Sequence, residues 1–196
     1  MEIHENKSIF VALTYRCTAH CKKCITRYHK YVNQSMSVDT MANVIRFLGR
    51  INYEGTINLG SGEPLSYPYI SSFITNLLGI NNRLKIRLLS NGKLFCLSTL
   101  KKEWFNGRIT FGITLDGMNN AELANLQNGI DIEQIKRQIS DVCAAYGSKK
   151  IYLNYTLNHQ NKKSVSDFLL FAKSNNIDSA YITNTIKALS QQMVDF

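Results

Sequence analysis

Proline is scarce in this chain: 196 residues carry two, Pro64 and Pro68. No Pro-, Gly- or Ser-rich stretch, repeat or low-complexity segment breaks the sequence, so one domain over residues 1–196 is expected. Long hydrophobic runs are missing as well, which excludes a helical membrane span. The first residues, Met1-Glu2-Ile3-His4-Glu5-Asn6-Lys7, are polar and lack the apolar core of a secretory signal. A cytoplasmic protein is expected. Acidic residues are in deficit, 14 against 23 lysines and arginines, for a net charge of +9. That surplus favours an anionic partner such as an acidic peptide or a phosphorylated metabolite. Its lysine pairs, at 22–23, 101–102, 149–150 and 162–163, are scattered, and no RNA-binding motif accompanies them. Nucleic acid is therefore not an expected partner.

Cysteine is concentrated in one place. Cys17, Cys21 and Cys24 fall within eight residues at the spacing C-x3-C-x2-C. They follow the apolar run Ser8-Ile9-Phe10-Val11-Ala12-Leu13-Thr14-Tyr15, which reads as a buried strand. The triplet thus lies on the loop leaving the first strand, at the edge where parallel α/β folds collect their chemistry. An odd triplet argues against disulfides. Zinc takes four ligands, and His20 or His29 stands close enough in sequence to supply the fourth. An iron–sulfur cube with a cysteine on every iron needs a fourth thiolate, so three leave one iron for another ligand. Cys96 and Cys143 fall on expected helical faces and read as buried, inert thiols.

The rest of the chain alternates strand and helix. Ser37 caps a helix with Val38, Met41, Val44, Ile45 and Leu48 on its apolar side. A strand over 56–59 runs into Gly60-Ser61-Gly62-Glu63-Pro64, and a helix over about 69–78 follows. The third strand, 84–89, closes on Ser90-Asn91-Gly92, with a short helix expected over 94–102. The fourth, 108–115, ends in Asp116-Gly117 and leads into a polar segment, 118–129. A helix from Asp131 to a Gly147 cap, a strand over 150–157, a helix over 164–174, a strand over 180–182 and a helical tail over 186–194 complete the order. Six strand–helix units predict a parallel sheet with right-handed crossovers, too few to close an eight-stranded barrel. The expected fold is α/β, an open partial (β/α)6 barrel.

With the triplet on its strand-one loop and Gly60-Ser61-Gly62-Glu63-Pro64 on the same rim, the chain resembles the radical S-adenosylmethionine (radical SAM) enzymes. The resemblance implies that Cys17, Cys21 and Cys24 each ligate one iron of a [4Fe–4S] cluster. The fourth iron would be chelated by the amino and carboxylate groups of SAM, and one electron would cleave SAM to methionine and a 5′-deoxyadenosyl radical. In the family a Gly-Gly-Glu-Pro-like segment meets the SAM amino group, which points to Ser61, Gly62, Glu63 and Pro64; Ser61 stands where the family has glycine. Ser90-Asn91-Gly92 and Thr114-Leu115-Asp116-Gly117 match its Thr-Asn-Gly and Ser-Leu-Asp-Gly segments. They imply that Ser90, Asn91 and Thr114 face SAM and that Asp116 fixes a turn or meets substrate. Asn154 and Thr156 share one face of the fifth strand and would meet ribose or substrate. Two positions depart from the family. Lys23 replaces the aromatic expected before the third cysteine, leaving Tyr28 or His29 for adenine stacking, and Leu126-Gln127-Asn128 replaces an arginine near the SAM carboxylate.

No cysteine-rich stretch suggests an auxiliary cluster. An open crescent leaves room for a peptide or protein substrate, which is the expectation; a glycyl-radical-enzyme activase or a metabolite or nucleotide enzyme is the alternative. The implied electron donor is a flavodoxin or ferredoxin. A reading of another class is a zinc-stabilised binding module or a degenerate fold acting as a partner-binding subunit; the departures at Ser61 and Lys23 favour the latter.

Overall fold

The computed structural model describes residues 7–22, 24, 26, 30, 32–105 and 107–184. The expected tail helix over 186–194, and Lys23, Tyr28 and His29, lie outside these residues. Six parallel strands form the sheet: β1 (Ser8–Ala12), β3 (Thr56–Gly60), β4 (Lys85–Ser90), β5 (Ile109–Thr114), β7 (Ile151–Leu157) and β8 (Ser179–Asn184). Their order, β1-β3-β4-β5-β7-β8, follows the chain, and β1 does not pair with β8. The sheet is open, as expected. Each crossover returns to the strand alongside, which is the arrangement repeated right-handed crossovers generate.

Alternation along the strands sorts the two faces. Val11, Ile57, Leu59, Ile86, Leu88, Phe111, Ile113, Leu153 and Tyr155 point to the buried side. There they meet α2 (Ile70–Leu78), α4 (Ile132–Tyr146) and α5 (Val165–Ser174), whose buried residues include Phe73, Ile74, Leu77, Ile135, Ile139, Val142 and Phe168. The first helix, α1 (Val38–Arg50), starts where expected, with Ser37 Oγ accepting from Thr40 N at 3.1 Å. Asp131 likewise caps α4, and Gly147 ends it with φ +83°.

The opposite face carries Phe10, Asn58, Arg87 and Thr110, successive register partners, together with Tyr152, the partner of Gly112, and Tyr181, the partner of Asn154. Gly112 is what lets Tyr152 lie across it, because a Cβ there would stand 2.4 Å from the Tyr152 ring. Arg87 sits 6.0 Å from that ring's centroid, and Tyr181 meets it edge-on at 5.6 Å.

Two local expectations fail. The first strand stops at Ala12; Thr14 makes an isolated bridge to Ser35 instead. Residues 94–101 form turns and bends, followed by a single 3-10 turn, Lys102–Phe105. Here Cys96 Sγ pairs with the Ser98 and Thr99 hydroxyls, a local alternative to helix. Cys96 is consequently partly exposed on a turn rather than buried on a helix. Burial raises its thiol pKa, but those hydroxyl bonds outweigh it and bring it below the ordinary value. Cys143, partly buried on α4, behaves as expected, its pKa pushed up to about 11 by burial.

The polar segment 118–129, to which the sequence analysis assigns no element, folds into α3 (Asn120–Leu126) and the two-residue β6 (Gln127–Asn128). Its signal was present as Asn119-x-x-Glu122. Asn119 Oδ1 accepts from Glu122 N at 2.9 Å, and Glu122 Oε2 accepts from Met118 N at 3.0 Å.

A buried knot ties the ends of β5 and β7. Asn161 is fully buried; its Nδ2 donates to the Asp116 carbonyl at 2.8 Å and the Thr156 carbonyl at 2.9 Å. Its Oδ1 accepts from Asn158 N at 2.8 Å. Asn161→Ala orphans these groups and is expected to cost about 2–3 kcal/mol, read as a lower urea midpoint with unchanged slope.

Candidate active site

The cysteine loop is held from four sides. Tyr15 N donates to Gln34 O and Met36 N to Leu13 O, both at 2.8 Å, fixing the loop's entry. Residues His20–Cys21 form β2, which pairs antiparallel with β6, His20 against Asn128 and Cys21 against Gln127. Gln127 is buried, so the stretch that replaces the family's arginine braces the loop. From the end of β3, Glu63 N donates to Arg16 O at 2.8 Å. From the end of β4, Asn91 Nδ2 donates to Cys17 Sγ at 3.4 Å and to Thr18 Oγ1 at 3.1 Å.

Glu63 is the hinge of this arrangement. It is fully buried, and its oxygens accept from Leu65 N at 3.1 Å, Ser90 Oγ at 3.0 Å and Asn91 N at 2.8 Å. Burial outweighs these bonds and lifts its pKa to about 6. Ser90 is buried, its hydroxyl spent on Glu63 and on Gly92 N. Pro64 opens a buried 3-10 turn, Pro64–Ser66. Glu63, Pro64 and Ser90 thus form the scaffold of the rim. Ser61 and Gly62 both have positive φ, +69° and +54°. Gly62 presses against the chain itself, since a Cβ would come within 2.3 Å of Arg16 O and 2.6 Å of Thr14 O.

The remaining candidates line the open end of the sheet. Thr114 and Asn154 are register partners, half-buried, and neither side chain hydrogen-bonds among the described residues. Asp116 Oδ1 accepts from Thr156 N at 3.1 Å, which secures the turn after β5. Burial raises the Asp116 pKa.

All three cysteines of the loop are free and partly exposed. Burial raises the pKa of Cys17, and with neighbouring charge, Cys24 first, pushes Cys21 up to about 12. Cys24 acts on both Cys17 and Cys21, and Cys17 acts on Cys21, so the thiols are electrostatically linked. Among the described residues no three His, Cys, Asp or Glu side chains close around a single-ion position. Three free thiols on one loop, with Cys24 and Cys17 acting coulombically on Cys21, make a donor set that suits an iron–sulfur cube, whose cysteines bind separate irons. His29, a candidate fourth zinc ligand, lies outside the described residues.

A family model, the Radical SAM superfamily, matches residues 11–172, from β1 to α5. This chain belongs to the radical SAM superfamily. A curated relative, an S-adenosylmethionine-dependent nucleotide dehydratase of Thermoplasmatales archaeon (strain ISO4-H5), is 29% identical over 159 residues, covering 78% of this chain and 51% of that protein. The chain therefore spans about half the length of this relative. Among solved structures, Streptococcus suis SuiB bound to S-adenosylmethionine superposes with a TM-score of 0.76 at 16% identity, over 93% of this chain and 41% of that one. Native anSMEcpe with bound AdoMet and Cp18Cys peptide gives 0.69 at 13%, over 92% and 51%. The shared fold is the open partial barrel.

Proton binding at Glu63 carries a testable sign. The folded carboxyl titrates near 6 against a reference of 4.5. Its contribution to stability is largest below 4.5 and falls by about 2 kcal/mol as pH rises through 6. Glu63→Gln removes that slope and sets an NH2 against one of three donors, so a loss of about 1–3 kcal/mol is expected at pH 5. Urea unfolding of both proteins at pH 4.5, 6 and 7.5 checks both effects.

Proposed function

We propose that the protein is a radical SAM enzyme that abstracts hydrogen from a peptide or protein substrate. Cys17, Cys21 and Cys24 hold a [4Fe–4S] cluster. The observation that carries this reading is the loop itself: three free thiols braced from β3, β4 and β6, with Cys24 and Cys17 acting coulombically on Cys21. When bound there, the cluster and SAM would supply a 5′-deoxyadenosyl radical, with a flavodoxin or ferredoxin as the one-electron donor. The chain's residues bind and orient. The backbone at Ser61–Gly62 receives the SAM amino group, and Thr114 and Asn154, whose side chains have no hydrogen-bond partner among the described residues, take its ribose or the substrate beside it. Asp116 and Thr156 hold the ends of β5 and β7 together, so that those side chains stay in register.

A peptide substrate is supported by the open sheet face, which admits a long chain, and by the peptide seated in anSMEcpe. SuiB is likewise known with its precursor peptide SuiA. A second reading, a nucleotide substrate, is favoured by the archaeal relative's activity and by exposed Lys85 and Arg87 on β4. Deuterium transfer into 5′-deoxyadenosine separates the two. Label moving from a precursor peptide supports the first, and label moving from ribose-deuterated nucleotides supports the second.

Anaerobic reconstitution is expected to give about four irons with matching sulfide. With dithionite and SAM, 5′-deoxyadenosine should form. Cys17→Ala, Cys21→Ala and Cys24→Ala should each abolish it and lower bound iron. Full cleavage by Cys21→Ala, or one zinc and no iron, would overturn the assignment.

A further inference from the structure

We infer that Asn91 sets the reduction potential of the cluster, an inference that rests on the proposed cluster at the three cysteines. Every polar atom of its side chain is committed. Oδ1 accepts from Lys93 N at 3.0 Å, which fixes the amide's orientation and turns its nitrogen toward the cysteine loop. The two N–H groups go to Thr18 Oγ1 at 3.1 Å and Cys17 Sγ at 3.4 Å. Its backbone N–H is anchored on the Glu63 carboxylate at 2.8 Å, and the residue is buried. Cys17 also accepts from Ala19 N at 3.5 Å, a bond within its own loop. Among the described residues Asn91 is thus the side chain, brought from 74 residues away, that meets a sulfur of the cysteine loop with a donor.

A hydrogen bond to a ligating sulfur favours the state with more negative charge on it. One electron passes from the low-potential donor to the cube, whose charge falls from 2+ to 1+; no bond breaks and no proton moves. The Asn91 dipole stabilises the reduced form, so it raises the potential and makes the electron easier to deliver. Asn91 is a positioning residue in this scheme, acting through Cys17.

The test is a redox titration of the reconstituted protein without SAM, following the electron paramagnetic resonance signal of the reduced cluster. Asn91→Ala removes the donor; Asn91→Asp puts a charged acceptor in its place. Asn91→Ala should lower the reduced-to-oxidised ratio at a fixed potential by roughly tenfold, about 59 mV, and Asn91→Asp by more. Tyr53→Phe, which loses a hydrogen bond to Lys7 O away from the rim, is the control and should leave the potential unchanged. A wild-type midpoint in Asn91→Ala at full iron content would overturn the inference. So would loss of iron from both Asn91 variants, which would make the residue a cluster-retaining one. Absence of iron from the wild type would instead overturn the cluster assignment on which the inference stands.

Discussion

One carboxylate buried among three donors organises the rim. Glu63 belongs to the turn after β3, yet its oxygens hold Ser90 and Asn91 at the end of β4, and its own N–H holds the cysteine loop at Arg16. Adjacent strands in a parallel sheet share a ladder but not their connecting loops, so the loops need separate ties. A carboxylate offers about four acceptor sites in one plane, and few groups can span three segments at once. The cost is a desolvated charge, visible in the raised pKa. That cost is met by fixing where Asn91 points, and through it the surroundings of Cys17.

A second layer of ties lies across the sheet. Asp116 and Asn161 bind the end of β5 to the end of β7, and β6 binds the stretch after α3 to β2. The loop therefore takes its shape from segments spread over more than a hundred residues. Its position is a property of the finished sheet, which places local chemistry under global control.

How much of this was legible in the sequence follows from the range of the interactions. The six strands and four of the helices announced themselves through period and caps, Ser37 and Asp131 above all, because amphipathicity and capping are local. The rim was legible because Cys17, Gly62, Asp116 and their neighbours fall at strand ends. The division of labour within it was not. Nothing local marks Ser90 as a buried partner of Glu63 or Asn91 as a donor to Cys17, since those bonds join residues 27 and 74 positions apart. The turns at 94–101 misled because Leu94, Phe95, Leu97 and Leu100 have a near-helical spacing while Ser98 and Thr99 divert the backbone. Asn161 escaped notice because it sits in an ordinary polar loop.

A sheet that ends instead of closing keeps two free margins. Among the described residues β1 and β8 each pair on one side only, and they expose Phe10, Tyr181 and Ile182. Such margins are templates on which a foreign strand can build. Like-charge repulsion between copies, from nine surplus positive charges, works against that self-association. Salt that weakens the repulsion should therefore matter more to this molecule's solubility than to a closed barrel's.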